Sequence, residues 1–419
     1  MNETELDALV LAAERFGTPC YVYFDSAVVR RVEKFREIFD ENFGLNYAVK
    51  VNPNSRLLRR LKELGVGLDV SSIGEFERGL AAGFSPAEIG FTGPGKRNSE
   101  LSRAIDYGAG HVICESLDEL TDVNAIAARK GTVQSVLLRL TPAKVPKRFG
   151  LNMAGQASQF GIDEEDIADV AEVLQQCESV NCQGFHAFSA GNSLSVGAIA
   201  QNFDNMCNLF LRSAEVLRCN PELLVFGSGF GIPYFEGDQP LDLLSLGKQL
   251  NARARGLRKQ FGLPHLNLCL EMGRWIVGEA GYLVTSVVRT KQSRGQAILI
   301  CDAGFNNNLS AAGMMGTVMR RDWRFTKLED SNPLSELVRY RVVGPLCASF
   351  DILATNVALP PTGKGDKLAI ASCGAYGLTA SPTRFISHPE PKELLVHESV
   401  NGIEIIDVSE SLGSDCVEA

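Results

Sequence analysis

From about residue 30 onward, short apolar runs alternate with segments whose apolar residues recur at helical spacing. The runs 46–49, 67–70, 89–92, 111–114, 133–140, 183–188, 223–226 and 266–270 read as strands. Between them, 55–64, 73–82, 99–107, 117–129, 164–176, 198–217 and 241–260 read as helices. Strands that alternate with helices predict a parallel sheet. Eight such strands within about 225 residues predict an α/β fold of the closed (β/α)8 TIM-barrel type rather than an open sheet.

Past Glu271 the period changes. The runs 276–290, 297–301, 340–343, 367–372 and 394–396 read as strands with few helical stretches between them, so a C-terminal all-β domain is expected. Pro360, Pro361, Gly363 and Gly365 mark turns within it. The run 19–24 reads as a lone strand that joins the β domain. The acidic tail from about Asn401 is expected to be loosely held. The expected division is a barrel over 29–270, with 1–28 and 271–419 forming the β domain.

Composition narrows the classes. Of 419 residues, 45% are hydrophobic and 22% charged, which suits a globular chain with a large core. The net charge of −9 disfavours a sequence-blind nucleic-acid binder, which needs a basic face. No apolar run approaches the ~20 residues that span a bilayer, and the acidic first residues lack the order of a signal peptide. Eleven cysteines, scattered without a Cys-x-x-Cys pair, are expected to be reduced in a cytoplasmic protein. No cluster has the spacing of a metal site, so no metal is expected.

The strand ends carry the candidate chemistry, because a barrel of this type builds its site at the C-terminal ends of its strands. The first strand ends in Lys50, the second includes Asp69, and the fourth ends at Glu115. The fifth carries Arg139. The sixth carries His186, with Ser189 beyond it. The seventh runs into Gly227-Ser228-Gly229-Phe230-Gly231. The eighth ends at Glu271, followed by Gly273 and Arg274. The glycine loop offers bare backbone N–H groups where barrels often bind phosphate, and Arg274 lies one strand along. Lys50 is the sole lysine at the tip of an expected barrel strand. An inward lysine there is costly unless paired or covalently used. A phosphate site with such a lysine suggests pyridoxal 5′-phosphate held as a Schiff base, with Glu271 suited to the pyridine nitrogen and His186 to the ring face.

These residues resemble the fold-type III pyridoxal-phosphate decarboxylases, the group of diaminopimelate, ornithine and arginine decarboxylases. The resemblance rests on Tyr47-Ala48-Val49-Lys50-Val51-Asn52, Asp69-Val70-Ser71-Ser72 with Glu75, Thr92-Gly93-Pro94-Gly95-Lys96, and Gly184-Phe185-His186. It continues through the glycine loop, Glu271-Met272-Gly273-Arg274, Asp302-Ala303-Gly304, Gly344-Pro345-Leu346-Cys347 with Asp351, and Gly374-Ala375-Tyr376-Gly377. It implies that Lys50 holds the cofactor, Glu271 faces the pyridine nitrogen and His186 stacks on the ring. It further implies that Ser189, Gly227, Ser228, Gly229, Arg274 and Tyr376 bind phosphate, with Asp69 and Arg139 also at the cofactor. Cys347 is expected to cross from a partner subunit and reprotonate the α-carbon, since the family forms homodimers whose β domain completes the site.

Departures from the family pattern bear on substrate. In diaminopimelate and ornithine decarboxylases an acid follows the cysteine and helps bind a distal amino group; here Ala348 stands there. The usual His-x-Gly-Ser has become His186-Ala187-Phe188-Ser189. Ala348 and Asp351, with Met153 and Phe160 of a substrate loop near 148–161, are the expected substrate contacts. Gly231-Ile232-Pro233-Tyr234-Phe235, Gly278-Glu279-Ala280-Gly281, Ser293-Arg294-Gly295-Gln296 and Gly377-Leu378-Thr379-Ala380-Ser381-Pro382 resemble a narrower subfamily. It comprises the exosortase-associated decarboxylases and those acting on aminoacyl groups tethered to an acyl carrier protein. The expected activity is α-decarboxylation of an amino acid with a neutral, acidic or carrier-linked side chain. A diaminopimelate- or ornithine-type decarboxylase of a free amino acid is the alternative. A racemase fits less well, because that family pairs the ring nitrogen with arginine. The intact set of Lys50, His186, Glu271, Cys347 and Tyr376 argues against a non-catalytic pyridoxal-phosphate protein.

Overall fold

The computed structural model describes all residues except 40, 147, 148, 150, 153, 314–320, 330–334, 400, 401 and 411–419. The chain falls into two compact units. One comprises Val32–Ile232 and Pro240–Gly273; the other comprises Met1–Arg31, Pro233–Gln239 and Arg274–Ala419.

The first unit is a closed parallel barrel. Its eight strands are Gly44–Ala48, Gly67–Val70, Ile89–Phe91, His111–Cys114, Gln134–Thr141, Val180–Ala187, Leu223–Gly227 and Asn267–Met272. Each pairs in parallel with its neighbours, and the last closes on the first from Cys269↔Gly44 to Met272↔Tyr47. The strands are nearly continuous apolar runs because helices cover the outside and side chains fill the inside. One local device recurs where a strand turns into its helix. Ser72 and Ser116 cap the helices Ile73–Ala81 and Leu117–Arg129, accepting from the N–H groups of Glu75 and Glu119. Each glutamate reaches back to the N–H before the cap, at Ser71 and Glu115, both at 2.7 Å. These reciprocal bonds stop the strands at a fixed residue, which sets where Asp69 and Glu115 stand. The long helix Val196–Leu217 packs through Phe203 and Phe210 onto Phe226, with centroids 4.4 and 5.1 Å away.

The second unit is built on a mixed sheet. Its main path runs Ile352–Leu359, Val338–Val343, Gln296–Cys301, Gly281–Ser293, Cys20–Phe24, Lys392–Ser399 and Gly402–Asp407, with Lys367–Ile370 and Phe325–Lys327 paired off it. Cys20–Phe24 is interior to that path, antiparallel to Gly281–Ser293 and parallel to Lys392–Ser399. All five of its residues are buried. The helix Glu3–Phe16 lays Ala8, Leu9, Ala12 and Ala13 over this core.

Several elements differ from the sequence reading. The helices Glu3–Phe16 and Asp25–Phe39 were not expected, nor was the strand Ile352–Leu359. The run 276–290 divides into a short helix, Arg274–Val277, and a strand that begins at Gly281. The tail is not loose throughout: Gly402–Asp407 is an edge strand paired from Ser399↔Gly402 to Leu394↔Asp407, with Ile405 buried. Ile403 and Ile405, two apart on one face, pack on the core with Glu404 exposed between them, and the neighbouring acids hid that short period. Among the described residues, no helix is long and apolar enough to cross a membrane.

Because Phe24 is 1% exposed on an interior strand, Phe24→Ala should destabilise the β-rich unit by about 3–5 kcal/mol in urea unfolding. A loss below about 1 kcal/mol would contradict the central place of that strand.

Candidate active site

The strand ends gather a charged group inside the barrel unit. Glu271, on the last strand, is 4% exposed, and its Oε2 lies 2.9 Å from His186 Nε2 on the sixth. Burial alone would raise the Glu271 carboxyl. The His186 hydrogen bond and the positive charges of Lys50 and Arg139 outweigh it and hold the pKa down at about 2. Asp69 goes the other way. Burial, and then the negative charge of Glu271, push it well above the carboxylate range, with Lys50 and Arg139 opposing. The two neighbouring carboxyls are therefore driven in opposite directions, Glu271 toward the ionised form and Asp69 toward the protonated one. Burial also depresses the His186 imidazole, so a neutral ring donates from Nε2 to Glu271 and leaves Nδ1 as an acceptor without a partner. The expected stacking role is thus joined by a direct bond to the carboxylate.

Lys50 lies in the short turn Val49–Val51 that ends the first strand. It is exposed rather than buried as the sequence suggested. Its ammonium stands 5.9 Å from the ring of Phe188. Phe188 packs against Gly227, where any Cβ would collide with the ring. Gly229 has φ +69°, and a Cβ there would come within 2.8 Å of the Ala190 carbonyl. The loop is tied down by Ser193 N–H to Gly229 O at 3.0 Å and Gly231 N–H to Ser193 O at 2.9 Å. The Ser228 N–H is used by the Glu271 carbonyl at 3.1 Å, and the Gly229 N–H has no partner among the described residues.

Arg139 is anchored by Glu115, which sequence reasoning noted but left out of the site. Glu115 Oε1 accepts from Arg139 Nη1 at 2.9 Å and from Gly93 N–H at 2.7 Å, while Oε2 accepts from Gly161 N–H at 3.2 Å. Phe160 lies with its ring 4.8 Å from the Arg139 guanidinium carbon. One expectation for this unit changes. Ser189 is fully buried, and its hydroxyl donates to Asn202 Oδ1 at 2.7 Å, so the hydrogen meant for phosphate is committed within the fold. Met153 lies outside the described residues. The change from glycine to Phe188 in the His-x-Gly-Ser motif was the signal that could have flagged a bulky residue beside Lys50.

In the β-rich unit, Arg274 lies between Tyr234 and Tyr376, and Tyr376 takes φ +52°, a strained conformation for a tyrosine. Cys347 is exposed and Ala348 is half-buried beside Phe305, Ala312 and Leu346. Asp351, expected to meet substrate, is 3% exposed. Its carboxylate accepts from the N–H groups of Phe305 and Leu346, both at 2.8 Å, so it fastens the Cys347 segment instead.

An accessible lysine, an open Gly229 amide, orphaned Asp69 Oδ2 and His186 Nδ1 atoms and an ionised Glu271 form a donor set that fits pyridoxal phosphate. The pyridoxal binding domain of the pyridoxal-dependent decarboxylases matches residues 25–278. This chain belongs to that family. The decarboxylase is 29% identical over 401 residues to the L-glutamyl-[BtrI acyl-carrier protein] decarboxylase of Niallia circulans, covering 94% of this chain and 92% of the relative. It is 31% identical over 396 residues to the diaminopimelate decarboxylase of Methanothermobacter thermautotrophicus, covering 94% and 89%. Diaminopimelate decarboxylase from Helicobacter pylori, complexed with L-lysine, superposes with a TM-score of 0.83 at 25% identity over 96% of each chain. The chain is therefore a pyridoxal-phosphate-dependent carboxy-lyase rather than a racemase.

The depressed His186 pKa sets a pH dependence. An imidazole harder to protonate when folded costs stability wherever the unfolded chain would carry the proton. Stability of the cofactor-free decarboxylase should therefore fall as pH drops through about 6.5, the ordinary imidazole value. His111 shares the direction. His186→Gln should flatten part of that slope in urea unfolding between about pH 5.5 and 7.5; an unchanged slope would show that His186 is not held neutral.

Proposed function

We propose that this decarboxylase removes the α-carboxylate of an amino acid whose side chain ends in a neutral or acidic group, or is linked to an acyl carrier protein. The observation that carries this reading is the segment Cys347–Asp351. Ala348 stands where a distal ammonium would need an acid, and the acid that remains, Asp351, has both oxygens occupied by backbone N–H groups. A distal ammonium brought there would lose water without gaining a partner, at a cost of several kcal/mol. The likeness to the glutamyl-carrier-protein decarboxylase supports the tethered form. The many diaminopimelate decarboxylases among the relatives keep a free amino acid as the second reading.

The cofactor, when bound, supplies an electron sink for the pair left behind by carbon dioxide. In this proposal Lys50 holds the aldehyde, and the Gly227–Gly229 loop, Arg274 and Tyr376 hold the phosphate. Glu271 keeps the pyridine nitrogen protonated because it stays ionised, while Asp69 beside it is harder to ionise. His186 orients Glu271, and Arg139 adds positive charge from its Glu115 anchor. Cys347 of the second protomer in a homodimer carries the proton that replaces carbon dioxide at the α-carbon. Ten unpaired cysteines among the described residues support a reducing, cytoplasmic setting.

Lys50→Ala should abolish both the visible band of the bound cofactor and turnover while leaving a folded dimer; borohydride fixing the cofactor to another lysine would sink the assignment. Cys347→Ala should slow product formation far more than it weakens cofactor binding. Mixing the two inactive variants should restore partial activity, and no recovery after verified subunit exchange would place the site within one chain. On substrate, free lysine, ornithine and diaminopimelate should be used at least ~100-fold less efficiently than the best carrier-linked or acidic substrate. Ala348→Glu should narrow that gap. Wild type using free diaminopimelate as fast as any tethered amino acid would reject the reading while leaving the family activity intact.

A further inference from the structure

The motif Tyr234-Phe235, which follows the glycine loop, has a place in the β-rich unit that the proposed chemistry does not use. Four side chains form a continuous stack there. The rings of Trp323 and Tyr234 have centroids 4.5 Å apart. The Arg274 guanidinium carbon lies 5.4 Å from the Tyr234 ring centre and 4.8 Å from that of Tyr376 on its other side. Arg274 Nη1 also donates to the Tyr234 hydroxyl.

Tyr234 is itself held from several directions. Trp323 and Tyr234 are 5% and 4% exposed. Arg324 donates to the Pro233 carbonyl at 2.8 Å, and Arg321 pairs with Asp238 at 3.0 Å while covering the Phe235 ring at 4.3 Å. Phe235 and Trp323 share an isolated backbone bridge. The segment that carries Tyr234 is thus fixed before and after the tyrosine.

Arg274 has no carboxylate partner among the described residues, and it remains partly open. A guanidinium enclosed by two rings and a neutral phenol keeps its full charge and awaits an anion. Stacked in this way it has also lost its rotamer freedom before any ligand arrives, so less is lost on binding. Its planar N–H edge can then meet phosphate oxygens in a preset direction.

We propose that Tyr234, backed by Trp323, is a positioning residue that presets Arg274 for the phosphate group of the cofactor. This rests on the phosphate role given to Arg274 above. The test titrates the full-length cofactor-free protein with pyridoxal phosphate and, separately, with pyridoxal, which has the same aldehyde and no phosphate. Binding is read from the visible band, and the melting temperature of each cofactor-free variant confirms that it is folded. Tyr234→Phe, which removes one hydrogen bond to a charged group, should weaken pyridoxal phosphate about tenfold. Tyr234→Leu, which also removes the ring face, should weaken it about 100-fold. Pyridoxal affinity should stay within about twofold in both variants, because no phosphate contact is lost. Equal losses for the two ligands, or no loss for either, would overturn the role of Tyr234. Arg274→Met separates the two ideas. If it abolishes the preference for pyridoxal phosphate while the Tyr234 variants keep it, only the positioning role fails. If it leaves the preference intact, the phosphate role of Arg274 fails and that of Tyr234 falls with it.

Discussion

A carboxylate cannot stay ionised inside a barrel unless cations surround it, and that requirement governs the centre of this molecule. Glu271 is enclosed, yet its carboxyl stays ionised because His186 donates to it and Lys50 and Arg139 bring positive charge. Removing water from a lone carboxylate costs many kcal/mol, so each of these neighbours is needed where it stands. Burial and then the negative charge of Glu271 make Asp69 beside it harder to ionise. The result is an ionised Glu271 that accepts from a neutral imidazole, beside an Asp69 carboxyl that resists ionisation. Such a pattern suits a cofactor whose ring nitrogen must keep a proton.

The supporting layer shows how the fold keeps that pattern. Reciprocal bonds at Ser71–Glu75 and Glu115–Glu119 end the strands at defined residues. Glu115 then spends its own oxygens on Arg139, Gly93 and Gly161, which aims Arg139 without making it part of a competing pair with Glu271. In the β-rich unit a buried acid has a comparable task. Asp351 clamps the backbone on which Cys347 and Ala348 sit, and Gly304 and Gly344 leave room for its carboxylate, which lies 2.6 Å or closer to where their Cβ atoms would be. A side chain of the right type near a site can therefore act on the chain rather than on the ligand.

Much of the barrel was legible because its signals are local. The strands Gly67–Val70 and His111–Cys114 and the helix Leu117–Arg129 have the bounds read from periodicity, and the other barrel elements read from it shift by a few residues. The β-rich unit was harder because its pairings join distant segments: Cys20–Phe24 takes one neighbour from 281–284 and the other from 392–396. Acidic residues masked the short Ile403–Ile405 period within Gly402–Asp407. At the site, residue types and strand-end positions located Lys50, His186 and Glu271. They did not reveal that Ser189 is committed to Asn202 or Asp351 to backbone amides, since burial and hydrogen-bond partners are set by tertiary packing.

The protonation pattern at the centre is the claim on which the rest depends, and infrared difference spectroscopy reads it directly. Spectra of the cofactor-free protein would be recorded near pH 7 and subtracted from those of Glu271→Gln. The account predicts that the wild type loses an ionised carboxylate band on this substitution. Loss of a protonated carboxyl band instead would show that Glu271 is neutral, and would contradict the assignment of the pyridine-nitrogen partner.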